Sequence, residues 1–388
     1  MKIVHINTFP YKAPGSIMMN IHNTLIANNV ESYAVWGRGR EANNKNEIKF
    51  ANDLSVKLHG VYTRLTDKTG FYSKKDTDKL IEKLNEIKPD IVHLHNIHGY
   101  YINIEKLFDY LKTNNIKVVW TFHDCWPFTG HCAYFDAIDC KKWQTQCCNC
   151  PQKHTYPKSS LLDNSTWNYN KKKELFQYKN LTIVTPCKWL ANLVKKSYLK
   201  DCNIEVIYNG IDTNIFKPVT SDFKEKNNIQ DKKIILGVAS EWTERKGLKD
   251  FIELNKILDK NKYQSVLVGV SDEQMKNIPN DILAIKRTNN VGELVEIYSS
   301  ATVFFNPTYE DNFPTTNLEA QACGTPVVTY NTGGSPESIK NKKYVIDKGN
   351  FKLLLDLLEN IDKDIKLDKN FEKETMIKQY MELYEKIN

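Results

Sequence analysis

The chain of 388 residues has no apolar run approaching the 18 or so residues of a membrane-spanning helix. It opens MKIVHINTF and passes at once into polar sequence. A secretory signal would need an apolar stretch of roughly 7–15 residues and a small-residue cleavage site. A cytoplasmic protein is therefore expected. No self-similarity recurs at a period of about 20–50 residues, which sets aside solenoids and propellers. Neither half carries GxGxxG after its first strand, so the common dinucleotide fingerprint is missing. No Asp-x-Asp stands at a strand end, and no catalytic divalent metal is expected. The basic stretches carry no nucleic-acid motif and no interleaved aromatics, so no nucleic-acid partner is expected. With 41% hydrophobic and 26% charged residues, disorder, collagen and coiled coil are excluded for the whole.

What is present is unevenly placed. Residues 1–200 hold 29 Lys and Arg against 17 Asp and Glu, and residues 201–388 hold 25 against 30. The net +7 is thus a basic first half and an acidic second half. Six of nine cysteines lie between Cys125 and Cys150. The length suggests two domains. Strands are predicted at Lys2–Asn7, Ser32–Trp36, Asp90–His95, Val118–His123, Leu181–Thr185 and Ile204–Tyr208. After Pro218 the rhythm restarts, with strands at Lys233–Ala239, Ser265–Val270, Ile282–Ile285, Thr302–Asn306 and Pro326–Thr329. Most are continuously apolar, as parallel strands buried on both faces are. Helical patterns such as Thr77–Ile87, Ile104–Thr113, Gly247–Leu258 and Asn317–Cys323 lie between them. The alternation argues for two doubly wound α/β domains, 1–215 and 216–370. A charged amphipathic helix, 371–388, closes the chain and is expected to pack back on the first domain.

Two loops of the second half carry chemistry. Ala239 to Gly247 follows the first strand and places Arg245 and Lys246 at a helix start. Two cations beside a helix N-terminus suit a diphosphate by charge and donor geometry. Tyr309 to Val328 holds Glu310, Asp311, Asn312, Phe313, Thr315, Thr316 and Glu319 on a strand-loop-helix turn. Free N–H groups open that helix, and ligands of open α/β sheets bind at the carboxyl ends of strands. In the first half, Gly15 sits in a small-residue loop opening a helix. That loop can receive an anion or be an ordinary turn.

These residues resemble the family 4 retaining glycosyltransferases, in a branch of bacterial capsule and exopolysaccharide enzymes. Their signature is Glu, seven residues, Glu, then Ala-x-Ala-Cys-Gly-x-Pro-Val-Val. Asp311 and Glu319 stand at that spacing, with Asp in place of the first Glu and Glu310 adjacent, so either acid could face the sugar. Thr332-Gly333-Gly334-Ser335-Pro336-Glu337, Asn209-Gly210-Ile211-Asp212, Pro186 to Leu190, Val92 to His95 and Thr121 to Asp124 match further segments. The resemblance implies the GT-B fold, two Rossmann-like domains facing a central cleft. It implies a UDP- or GDP-linked sugar donor. Glu319 would hold ribose hydroxyls, and Asp311 with the Asn312–Phe313 backbone would meet the sugar. Thr315, Thr316, Arg245 and Lys246 would meet the diphosphate, and Arg287-Thr288 the base. His123, Asp124 and His95 would line the acceptor side, and His123 would orient and stabilise, not act as a general base. The catalytic set would be His123, Asp311, Arg245 and Lys246.

Cys132, Cys140, Cys147 and Cys150 form Cys-x7-Cys-x6-Cys-x2-Cys. Four thiolates suit tetrahedral Zn²⁺, and clustered cytoplasmic cysteines lean toward metal. Free thiols, a disulfide and an iron–sulfur centre are the rivals. In the resembling transferases these four recur, so a structural Zn²⁺ is expected. The basic first half fits a lipid-linked saccharide acceptor at the inner face of the membrane, with Lys171–Lys173 and Lys195–Lys196 as lipid contacts. The leading function is sugar transfer to a saccharide or lipid-linked saccharide in surface polysaccharide synthesis. The alternatives are an epimerase or phosphorylase on the same scaffold, and a non-catalytic, zinc-stabilised module at the membrane surface.

Overall fold

The computed structural model describes residues 1–362 and 365–388. The chain divides into two compact units, 1–208 with 377–388, and 209–376. The first runs β1 Lys2–Asn7, α1 Lys12–Ala27, β2 Glu31–Trp36, β3 Glu47–Lys49, α2 Asp53–Thr66, α3 Lys74–Ile87 and β4 Ile91–Leu94. It continues through α4 Ile104–Thr113, β5 Lys117–Thr121, α5 Ser165–Phe176, β6 Leu181–Thr185, α6 Lys188–Val194 and β7 Asn203–Val206. Its seven strands form a parallel sheet in the order β3-β2-β1-β4-β5-β6-β7.

The central strands read apolar at successive positions because both faces are covered. Ile3, Val4, Ile6, Ile91, Val92 and Leu94 are all fully buried. Against β5, α4 buries Ile104, Leu107, Phe108 and Leu111, each contributing about 1.5–3 kcal/mol. Phe108, Trp120 and Phe176 meet with ring centroids 4.7–5.7 Å apart. Asparagine caps set the helix starts: Asn52 accepts from Leu54 and Ser55 N–H, and Asn103 from Lys106 N–H.

The second unit contains α7 Phe223–Lys226, β8 Lys233–Val238, α8 Leu248–Ile257, β9 Tyr263–Val268, α9 Asp272–Met275 and β10 Leu283–Ile285. There follow α10 Val291–Ser300, β11 Val303–Asn306, α11 Thr315–Ala322, β12 Val327–Tyr330, β13 Val345–Ile346 and α12 Phe351–Glu359. Its six strands are parallel in the order β10-β9-β8-β11-β12-β13. The reversal of direction in strand order at β8/β11 is the topological switch point where such sheets bind ligands.

The unit boundary falls at 208/209, ahead of the expected 215/216. Hydrogen bonding explains the difference. Ile211 N–H donates to Phe371 O at 2.8 Å, and Lys373 N–H to Ile211 O at 3.0 Å. A Cβ on Gly210 would stand 2.6 Å from Glu372 O, so the two strands of chain touch there. The expected span 216–370 also includes 363–364, which lie outside the described residues. The two short edge strands, β3 and β13, were not foreseen. With three and two residues, they are too short to show periodicity.

The last helix, α13, covers Lys373–Ile387, and 377–388 cluster with the first unit. Tyr384 OH lies 2.6 Å from His93 Nδ1, and Tyr380 OH 2.8 Å from Thr121 Oγ1. Both tyrosines are buried. Among the described residues no helix is long and apolar enough to cross a membrane. Tyr384→Phe should lower the unfolding free energy by about 1–3 kcal/mol, because His93 Nδ1 loses its partner inside the core. Denaturant titration checks this, and a change under about 0.5 kcal/mol would show that the bond contributes little.

Candidate functional site

In the second unit, the loops after β8, β11 and β12 are neighbours because their strands are adjacent in the sheet. Two glycines let them touch. Gly247, at φ +76°, would place a Cβ 2.1 Å from Pro307 O. Gly333, at φ +54°, would place one 2.2 Å from Asp311 O. Glycine adopts such backbone at the least cost, and at both positions a side chain would also strike a backbone carbonyl. Tyr309 N–H donates to Arg245 O at 2.8 Å, Gly334 N–H to Asp311 O at 2.9 Å, and Thr332 Oγ1 to Thr308 O at 2.7 Å. The Thr332–Glu337 turn is thus the brace beneath the Asp311 loop.

This framework aims Arg245, Lys246 and Asp311 at one place. Lys246 Nζ is 2.5 Å and Arg245 Nη1 3.6 Å from Asp311 Oδ2. Arg245 also donates to Glu310 O. Burial raises the Asp311 carboxyl, but the two cations outweigh it and hold it below the usual range. Of the two adjacent acids, Asp311 is therefore the one beside the cations, whereas Glu310 is buried. Asn312 and Phe313 side chains are also buried, and Phe313 N–H serves the Asp311 carboxylate. That N–H, expected to meet a sugar, is spent within the protein.

Helix α11 opens at Pro314 with no side-chain cap, so its first N–H groups have no intrahelical partner. Thr315 and Thr316 are half-buried there. Glu319, one turn on, accepts from Tyr298 OH at 2.9 Å. Burial pushes its carboxyl up, partly offset by Tyr298 and Thr315 hydroxyls. Buried Asn317 anchors the helix, accepting from Asn306 Nδ2 and donating to Ser338 Oγ, both at 2.8 Å. Arg287 and Thr288 follow β10, two strands from β8 at the sheet's edge. Gly15 belongs to the first unit. A Cβ there would stand 2.4 Å from Phe9 O, so close packing of its own turn accounts for it.

In the first unit, His5, His93 and His95 are buried side by side. His5 and His93 are in register on paired strands. Among the described residues, theirs is the one group of three or more candidate ligands with donor atoms within 4.8 Å of one another. Both His5 nitrogens lack hydrogen-bond partners. His93 already uses both of its own, on Tyr384 and on Thr121 at 2.8 Å. His95 Nδ1 reaches His123 Nε2 at 3.0 Å, and the rings stack. His123 thus stands at the outer end of the row. Its neighbour Asp124 lies 2.8 Å from His98 Nε2 and accepts Trp126 N–H at 2.9 Å. His98 escaped the sequence reading. Only its fold partner Asp124 distinguishes it from other loop histidines.

Cys132, Cys140, Cys147 and Cys150 line one small cavity with His131 and Trp143, of about 10 Å³. That is room for about one water-sized sphere. The Cys132 and Cys150 sulfurs are in hydrogen-bond contact, and Gly130 N–H points at Cys147 Sγ at 3.1 Å. The cysteines converge without closing to the histidine group's spacing. The basic run beside them differs from expectation. Lys172 is buried, donating to Trp126 O at 2.6 Å over that indole ring, and burial lowers it to about 7. Lys171 pairs with Glu105 at 2.8 Å. Lys172 is thus not placed to meet lipid, Lys171 is engaged in an ion pair at the surface, and Lys173, Lys195 and Lys196 are exposed.

Residues 17–215 match the family described as Glycosyltransferase Family 4, and residues 219–377 the one described as Glycosyl transferases group 1. The chain belongs to glycosyltransferase family 4 and is a glycosyltransferase. It is similar to WcaC of Escherichia coli K12, named for colanic acid biosynthesis, at 23% identity over 84% of this chain and 81% of that one. It is 29% identical, over 51% of its length and 58% of the other's, to a Campylobacter jejuni N,N'-diacetylbacillosaminyl-diphospho-undecaprenol alpha-1,3-N-acetylgalactosaminyltransferase. The structure of Anabaena HepE in complex with UDP aligns with a TM-score of 0.67 at 14% identity, covering all of both chains. The two parallel-sheet units are those of the GT-B fold.

Burial lowers His93 to about 3 and His123 to about 4, and takes His5 and His95 well down. An unfolded histidine takes its proton near pH 6.5. Between those values the unfolded chain holds protons that the folded one does not. Stability is therefore full above about pH 6.5 and falls as pH drops toward 4, by about 1.4 kcal/mol per pH unit per histidine. Denaturant titrations from pH 8 to 4.5 should show this slope, and His123→Asn should reduce it by about one proton's worth. An unchanged slope in that variant would mean His123 titrates normally.

Proposed function

We propose that this chain moves a sugar, with retention, from a nucleoside diphosphate sugar to a saccharide or lipid-linked saccharide of a bacterial surface polysaccharide. The observation that carries the reading is the Arg245–Lys246–Asp311 cluster beside the uncapped start of α11 and Glu319. The cations and helix N–H groups supply positive charge where a diphosphate would depart. Glu319 would accept from ribose hydroxyls. UDP is favoured because HepE was solved with UDP, and GDP is the other candidate. The acceptor class follows the diphospho-undecaprenol in the Campylobacter relative's name and the basic first half.

The acceptor would lie on His123, Asp124 and His95. With its affinity for protons near pH 4, His123 is neutral at pH 7 and would orient a hydroxyl. The departing phosphate would take the acceptor's proton, so no protein base is required. Work on a lipid-linked acceptor would place the enzyme at the cytoplasmic face of the membrane. The fitness of the cysteine set for a metal rests on Cys132, Cys140, Cys147 and Cys150 lining one ion-sized cavity. They would hold a structural Zn²⁺ and so fix the loop that follows His123.

A thermal-shift screen against UDP- and GDP-sugars tests the donor. At about 100-fold over Kd the right class stabilises by about 2.7 kcal/mol. Arg245→Ala should cut kcat by about 10²- to 10³-fold, and Glu319→Ala should abolish the shift. No shift with any sugar nucleotide would refute the reading. Protein purified without chelators should contain about one zinc per chain, lost together with thermal stability in Cys132→Ser/Cys150→Ser. Absence of metal, with no loss of fold on chelation, would leave the thiols free.

A further inference from the structure

Helix α2 is built inside out. Its buried positions are Val56, His59, Gly60 and Thr63, a small and mostly polar set. Its exposed positions carry Leu54, Leu58, Val61 and Leu65, at 65%, 47%, 48% and 42% exposure. These four recur at intervals of four, three and four residues, which makes one stripe along the helix. A surface helix of a globular unit turns its larger apolar side chains inward. Here they face water, and Tyr62 flanks them, also exposed.

The stripe is widened by a second segment. Ser160 N–H donates to Arg64 O at 2.7 Å, and Leu162 N–H to Leu65 O at 3.3 Å. This lays 159–162 along the helix end and adds Leu161 and Leu162, 64% and 54% exposed. Soluble monomers seldom leave so continuous an apolar patch uncovered. Cations outnumber carboxylates around it, and Asp53 and Asp163 are the exposed acids of the stretch. Lys57, Arg64 and Lys158 are exposed, Lys153 donates to Leu161 O at 3.2 Å, and Lys68 covers the exposed Trp167 ring at 4.2 Å. The carboxylates of the same stretch are engaged elsewhere. Asp53 pairs with Lys49 at 3.4 Å, Asp67 is buried against His131, and Asp163 accepts from Cys150 and Ser165 N–H.

We propose that α2 and residues 159–162 form the face by which this chain lies on an anionic lipid bilayer. An apolar stripe flanked by cations is the pattern of helices that lie in the headgroup–acyl boundary, with leucines inserted and Lys and Arg among the anionic headgroups. The proposal deepens the reading of a lipid-linked acceptor by naming the surface that meets the membrane. It takes the place of Lys172, which is buried, and of Lys171, which is held by Glu105.

Vesicle co-sedimentation of the full chain tests it. Wild type should pellet with phosphatidylcholine–phosphatidylglycerol vesicles and much less with phosphatidylcholine alone. Leu58→Glu/Leu65→Glu should lower the partition coefficient by about tenfold or more. Lys57→Glu/Arg64→Glu should remove the preference for anionic vesicles and the salt sensitivity. All variants should keep the wild-type melting temperature, and Leu58→Ser/Leu65→Ser serves if the glutamates disturb folding. Failure of wild type to bind vesicles, or equal binding by the leucine variants, overturns the proposal. Self-association that the same substitutions abolish, without vesicle binding, would assign the face to a second copy and also overturn it. The donor screen is read separately: binding to vesicles without any sugar-nucleotide shift would sink the proposed donor and leave this surface standing.

Discussion

The candidate donor site depends on how closely three backbones approach one another. The carbonyls of Pro307 and Asp311 press against Gly247 and Gly333, both in the left-handed region. Any side chain at either position would collide with backbone, which cannot step aside as a flexible side chain can. The interlock sets where Arg245 and Lys246 leave their loop relative to Asp311. The ion pair then follows from the backbone, and its strength comes from the partial burial of its members, with side chains 14–25% exposed. An exposed pair of the same kind would contribute little.

The same burial logic separates the two carboxylates at seven-residue spacing. Asp311 has two cations within 4 Å and stays ionised. Glu319 has hydroxyl partners and no cation among the contacts that govern it, so burial wins and its proton affinity rises. One acid holds cations in place, and the other is held by Tyr298 and Thr315 in a site that suits hydroxyl partners. Paired carboxylates with diverging environments take different tasks.

Much of this was legible in the chain. Buried parallel strands announce themselves by continuous Val and Ile, and loops at strand ends were locatable from them. Arg245, Lys246, Asp311 and Glu319 could be named because residue type and spacing carry the chemistry. What could not be read depends on which face of an element is covered. Lys172 reads as part of a basic run, yet the fold buries it over Trp126. Leu54, Leu58, Val61 and Leu65 have the spacing of one helix face, yet the fold turns that face to water. His98 gains its meaning only when the fold brings Asp124 to it. The boundary at 208/209 depends on pairing between residues some 160 apart in sequence, which no local pattern records.

The histidine row shows what the first unit gives up to keep its site in place. His5, His93 and His95 occupy positions that Val or Ile could fill, and His5 leaves both ring nitrogens without hydrogen bonds. An unsatisfied buried polar group costs about 1–3 kcal/mol. The compensation is geometric. His93 binds Tyr384 and Thr121, His95 stacks on His123, and the outermost ring is thereby held in one orientation at the end of β5. Desolvation by the same row keeps each imidazole neutral. A neutral, immobile His123 can direct one hydrogen bond but holds no proton to give at pH 7. Under the proposed function the rate would depend on placing the reactants and neutralising the departing charge, with Arg245 and Lys246 proposed for the electrostatics and His123 for the orientation.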